Sequence, residues 1–170
     1  MRGQQGLTLL EVILVLVLIL LLVGILAPAL RKAAQSFGSV ETRAGLTVQA
    51  RGAVHRIVRE VRNTQKKPNN APNITTADTA TITFVDVLDN IVTFSLAGST
   101  VQRGGDVLAD NVAGLQFRYF DGSNAELTPL PLNAVNRDNV RRILVILTLQ
   151  DRGQTTTLSG QVFLRDLTGL

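Results

Sequence analysis

One residue in this sequence calls for a chemical account, and it is a carboxylate. Glu11 stands in "GLTLLEV" (Gly6–Val12), at the mouth of "ILVLVLILLLVGILAPAL", a run without a single charge. An ionisable group at membrane depth is costly and marks a functional site by default. The chemistry open to Glu11 is to hold a cation, so the question is where that cation comes from. Little else offers chemistry. The single histidine, His55, lies in a helical stretch among Arg56 and Arg59 and reads as part of a solvated face, so no Ser/His/Asp constellation can be built on it. "RGGD" (Arg103–Asp106) is too short to cradle a phosphate. "DGSN" (Asp121–Asn124) lacks the later ligand positions of a calcium loop and reads as a β-turn. Phe117, Arg118, Tyr119 and Phe120 mix aromatic and basic groups as a single-strand nucleic-acid platform does, but strand alternation sends two of the aromatics into the core. There is no cysteine, hence no disulfide and no thiolate metal site. No catalytic residue, cofactor or metal is expected, and the chain does not read as an enzyme.

The element that must position Glu11 is the apolar run. Val12–Leu30 holds nineteen residues without a charge. As a helix it spans about 28 Å at ~1.5 Å per residue, roughly the hydrocarbon thickness of a bilayer. It is apolar on every face, which suits lipid or a tightly packed bundle. A plain transmembrane anchor is the simplest reading. A secretory signal peptide is the second, with "APA" (Ala27–Ala29) as a small-residue cleavage site. Against the second, the run exceeds the usual ~7–15-residue signal core. Only Arg2 supplies charge ahead of it. Neither reading accounts for Glu11.

A third does. "MRGQQ-G-LTLLE" resembles the leader of type IV pilins and type II secretion pseudopilins, with Gly, Thr and Glu in register with an uninterrupted apolar run. Leu7 departs from that family's usual Phe or Met, at a position that tolerates other apolar residues. The resemblance implies that residues 1–6 are a leader cut after Gly6 by a prepilin peptidase, which also N-methylates the new N-terminal Leu7. Thr8 and Glu11 are then implied in subunit assembly, Glu11 being the fifth mature residue. An amine freed on Leu7 has an ordinary pKa near 7.7–8.0 and is largely cationic at neutral pH. Glu11 thereby gains a cation, on its own N-terminus or on an adjacent subunit, and as an anion in the first turn it favours the helix dipole. A carboxylate left in a filament core without its cation would be expensive, so correct docking wins over misregistered docking. Pro28 falls where pilins often carry a proline. Because it cannot donate to the Gly24 carbonyl, a kink or stretch is expected between Gly24 and Pro28.

Charge is split along the chain. Residues 31–67 carry nine basic against two acidic residues, a net of +7, whereas residues 68–170 carry seven against ten, a net of −3. A basic stem can meet anionic lipid, nucleic acid or an acidic neighbouring subunit. Val40, Ala44, Thr47, Val54, Val58 and Val61 recur at helical spacing as one apolar stripe, interrupted by Arg51. The helix is expected to end near Asn63, where "NTQKKPNNAPN" begins, so that Leu7–Arg62 would make a rod of ~84 Å. Gly38, Gly45 and Gly52 recur every seven residues, and each costs about 1 kcal/mol relative to Ala. They fit close approach of a neighbouring helix or, the favoured reading, packing within this chain or mere tolerance.

Beyond a polar loop at residues 63–75 come period-2 segments: Thr81–Val85, Ile91–Leu96, Gly114–Phe120, Arg142–Gln150 and Thr155–Leu164, with a short strand at Thr100–Arg103. Turns are expected around Asp89–Asn90 and Asp151–Gln154, and a surface loop over Asp121–Asn139. The fold expected is α+β: a long N-terminal helix (residues 7–62, with 7–30 transmembrane and 31–62 a stem) packed on an antiparallel β-sheet head (residues 63–170). Residues 80–165 are also similar, less specifically, to minor pilins of the W type and pseudopilins of the J type.

The resemblance implies a structural subunit, a minor pilin or pseudopilin near the tip of a type II secretion pseudopilus or type IV pilus. It implies other pilins or pseudopilins, the prepilin peptidase and an inner-membrane assembly platform as partners. The location implied is the bacterial inner membrane, single-pass with a periplasmic head, and then the assembled filament. The alternative is a DNA-contacting component of a competence pilus, with nucleic acid as a further candidate partner. A plain anchor predicts an uncut N-terminus, whereas the pilin reading predicts a mature mass lacking residues 1–6 and carrying one extra methyl group. Intact-mass spectrometry of the membrane-extracted protein decides between them.

Overall fold

The computed structural model describes residues 9–164, the side chains of residues 33–41 within the first helix excepted. That helix, α1, runs from Leu9 to Arg62. The chain divides into two compact units, Met1–Glu41 and Thr42–Leu170. In the first unit, Leu9–Lys32 is long and apolar enough to cross a membrane, with a mean hydropathy of 3.4. Its leucines, isoleucines and valines are exposed on all sides.

The second unit contains the rest of α1, then β1 (Ile74–Ala77), β2 (Thr81–Val85), β3 (Ile91–Ala97), β4 (Thr100–Arg103), β5 (Asp106–Ala109) and β6 (Val112–Phe120), and finally α2 (Ala134–Asp138), β7 (Arg142–Asp151) and β8 (Gln154–Phe163). The strands form two antiparallel sheets, a meander β1-β2-β3-β4-β5 and a three-stranded sheet β6-β7-β8. The architecture is α+β: an N-terminal apolar helix with an antiparallel β-sheet head. Alternation drives it. Ile82, Phe84, Val92, Phe94 and Val101 face the core from the meander, and Phe117, Ile143, Val145, Leu147 and Val162 do so from the second sheet. Short polar turns link them. Arg152 and Gly153 both take positive φ (46° and 76°), the two-residue hairpin geometry expected at "DRGQ". Asp86 closes the β2–β3 turn by accepting N–H groups from Leu88 and Asn90 at 2.8 and 2.9 Å. The Asn90 amide comes first among the causes that hold its carboxyl below the usual range.

Three elements were not anticipated. β1 takes Ile74 and Thr75 from the segment read as loop, β5 follows the "RGGD" turn, and α2 lies inside the expected surface loop. All are four or five residues long, too short for a periodicity to register. Asn133 caps α2, its side chain accepting from the Asn136 N–H at 2.8 Å.

The stem buries Leu46, Ala50, Ala53, Val54, Ile57 and Val61. This corrects the expected stripe. Val54 and Val61 belong to it and Val58 is half-buried, but Ala44 is exposed and Thr47 turns its hydroxyl onto the Arg43 carbonyl. Val40 lies outside the described side chains. Alanine, not only valine, carries the contact, because small side chains let the helix sit close to the sheet. The helix lies close over Gly160 on β8. A Cβ there would meet Val54 Cγ1 at 2.6 Å and Val58 Cγ2 at 2.9 Å. Glu60 braces the same helix, accepting from Arg56 at 3.0 Å and from Arg103 of β4 at 2.6 Å. The helix stops at Arg62, where Asn63 and Thr64 donate back to the Glu60 and Val61 carbonyls.

Tyr119 is fully buried, and its hydroxyl donates to the Asp78 carbonyl at 2.9 Å. Burial first, and the Asp78 charge second, push its pKa well above the ordinary value. A raised folded pKa contributes stability that is complete below the unfolded value of about 10 and is lost as pH rises from there towards the folded value. Urea melts at pH 8 and above pH 10 therefore should show an alkaline loss of stability that Tyr119→Phe reduces. Gly160→Val should destabilise the head by about 1–3 kcal/mol through overpacking. Gly52→Ala, where a Cβ meets nothing within 4 Å, should be neutral or stabilising by up to about 1 kcal/mol. Thermal melts of the two variants check the contrast.

Candidate functional site

Glu11 sits in the first turn of α1 and is solvent-exposed in the isolated chain. It stands at the head of a helix whose flank carries an apolar groove lined by Leu10, Ile13, Leu14, Val17 and Leu18, at the i, i+3, i+4, i+7, i+8 spacing of one helical face. Each apolar side chain left against water forfeits about 25 cal/mol per Å² of coverable surface. A span with exposed leucines and isoleucines on every side therefore requires lipid or other helices around it. Gly6, Leu7 and Thr8, the residues of the expected cut, methylation and assembly contact, lie outside the described residues. α1 remains helical through Gly24 and Pro28. The opening expected at those two residues is a proposal for the assembled state.

The stem presents a second face. Gly45 and Gly52 are exposed, and a Cβ on either meets nothing within 4 Å. Packing within this chain, half of the favoured reading, therefore does not account for these two; Gly38 lies outside the described side chains. Arg51, His55, Arg56, Arg59 and Arg62 share the exposed side. Next to them an open groove of about 660 Å³ runs between the stem and β8, bordered by His55, Arg59, Arg62, Ser159 and Gln161.

The lesser candidates resolve into structure. Phe117 and Tyr119 are in the core. Phe120 is 8% exposed and covered by the Arg142 guanidinium, 3.8 Å from the ring centre, with Arg118 at 5.5 Å. The face is thus a cation–π stack and offers no open ring to a base. Asp121 accepts from the Ser123 hydroxyl and from the Ser123 and Ala125 N–H groups at 2.8–2.9 Å, which holds its carboxyl below the usual range. It closes a turn. No group of three His, Asp or Glu side chains among the described residues is placed to hold a metal ion.

Sequence reasoning missed Gly160, the Glu60–Arg103 brace and the basic groove. Only Gly160 carried a signal, a glycine inside a strand, which often marks close approach of another backbone element. In comparison with known families, residues 1–27 match the prokaryotic N-terminal methylation motif. Among curated proteins none matches the chain.

Proposed function

We propose that the chain is a type IV pilin-like subunit, a minor pilin or pseudopilin built into a type II secretion pseudopilus or a type IV pilus near its tip, on the match of residues 1–27 to the N-terminal methylation motif. Membership of that family implies assembly with other pilins and processing by a prepilin peptidase, and the apolar helix fits an inner-membrane anchor. The observation that carries the proposal is Glu11 in the first helical turn of a segment long and apolar enough to cross a membrane, in register with Gly6 and Thr8.

The mechanism follows from charge. The peptidase cuts after Gly6 and methylates the Leu7 amine, which keeps its positive charge. In the membrane the segment is an anchor. During assembly the Leu7 amine of one subunit and the Glu11 carboxylate of its neighbour pair in the apolar core and fix the axial register. Pairing in a low-dielectric core discriminates strongly, because a docking that leaves one charge alone costs about 3–5 kcal/mol. Gly24 and Pro28 let the helix stretch as the filament packs. The periplasmic placement of the head rests on this processing, since basic residues flank the span on both sides (Arg2 before it, Arg31 and Lys32 after it). The missing disulfide and irregular head favour a minor subunit, and the resemblance of residues 80–165 favours the W or J type.

A DNA-contacting competence subunit is the alternative, and the exposed basic stem is what favours it. Salt-dependent DNA binding by the full chain would support it.

Glu11→Ala or Glu11→Val should leave membrane insertion intact and abolish incorporation into filaments. Membrane fractionation and immunoblotting of sheared filaments read the two effects separately, and normal incorporation of either variant would overturn the proposal.

A further inference from the structure

Among the described residues, one sheet edge in the head carries no charge, proline or register shift and is not short. β1 and β5 are four residues long, each with a register shift in its pairing, and β5 opens on Asp106. β6 has a shift between Val112 and Gly114, and its far side is partly occupied: Phe117 N–H donates to the Thr79 carbonyl at 2.7 Å and Val112 N–H to the Ser99 carbonyl at 2.9 Å. β8 is different. Its sequence, "QTTTLSGQVF", holds no charge and no proline. It pairs with β7 from Gln154 to Phe163 without a register shift, and among the described residues no strand pairs with its other side. Proteins blunt edge strands with charges, prolines, bulges or short length, because an open row of N–H and C=O groups is a template for another chain.

Beside this edge lies the basic groove of the stem. Arg56 is held by Glu60, whereas Arg59 and Arg62 enter no ion pair among the described residues. Both border the groove together with His55, opposite Ser159 and Gln161. We infer that the open edge of β8, with this groove, is a docking site for an extended acidic segment of another protein chain, added as a fourth strand to the β6-β7-β8 sheet. The edge supplies directional main-chain hydrogen bonds and the arginines select carboxylates. An extended peptide satisfies both the donors and the acceptors of the edge, whereas a phosphodiester backbone brings acceptors alone. A second copy is disfavoured, since joining β8 to β8 would set two arginine-lined faces side by side. The inference does not rest on the filament reading, because a chain that never entered a filament would present the same edge.

The test uses the full chain in detergent micelles and a fluorescent ten-residue peptide alternating Val and Glu, followed by anisotropy at about 0.15 M salt. The peptide should bind. The same peptide N-methylated throughout should bind at least about tenfold more weakly, having lost its donors. An alternating Val–Lys peptide should not bind. Arg59→Gln combined with Arg62→Gln should weaken binding about three- to tenfold with an unchanged melting temperature. Four results would each overturn the inference. They are no binding at about 1 mM, equal binding of the N-methylated or lysine peptide, displacement of the peptide by a ten-nucleotide single-stranded DNA at equal charge, and dimerisation of the chain alone that blocks the peptide.

Discussion

The head depends on how closely the stem helix can approach the second sheet. At Gly160 the sheet has no side chain, and Val54 and Val58 occupy the space. A single methyl there would force the helix or the strand to move, because packed interiors do not absorb a 2.6 Å contact. From that approach follow the alanines at 50 and 53, which keep the rest of the interface thin, and Ile57 and Val61, which close it towards the helix end. Glu60 then lies where it can reach both Arg56 and Arg103, tying the helix to the first sheet as well. With the inner face committed, Gly45, Gly52 and the arginines are left on the outside.

The apolar part of α1 is governed by a different balance. Lipid tails are as apolar as leucine, so moving such a helix from a bilayer into a bundle gains little hydrophobic free energy. Packing and the few polar groups must decide which helices associate and in what register. In the proposed assembly Glu11 serves as that device: a side chain tolerable at the membrane surface becomes discriminating only when a core closes around it. The Leu-rich sequence keeps the helix in an apolar medium without choosing its neighbour, and in the proposed assembly one carboxylate makes that choice.

How far this was readable in the sequence differs by element. The apolar helix is legible because nineteen uncharged residues admit few alternatives. β2 and β4 fall where the period-2 pattern puts them, and β3, β6, β7 and β8 differ from it by one or two residues at their ends. β1, β5 and α2 were illegible because their pairing or capping partners, not their own patterns, make them regular. The stem stripe was half right: Val54 and Val61 announce themselves, but Ala50 and Ala53 matter through their smallness, which hydrophobicity alone does not reveal. For the candidate site, Glu11 was legible as an anomaly. The groove was not, since it joins residues about a hundred positions apart through a register that only the folded sheet defines.

The split of charge acquires a physical sense from the fold. Among the described residues Arg59 and Arg62 enter no ion pair, and Glu60 is spent on Arg56 and Arg103. Like charges along one helix face raise the energy of the isolated chain, modestly in water because solvent screens them. They become favourable once an acidic surface covers them, and the cost carried by the free chain lowers the net penalty of desolvating them on binding. An uncharged edge strand beside that face completes the same logic. The charges bring an acidic partner close, and the edge fixes its register through hydrogen bonds that water would otherwise satisfy.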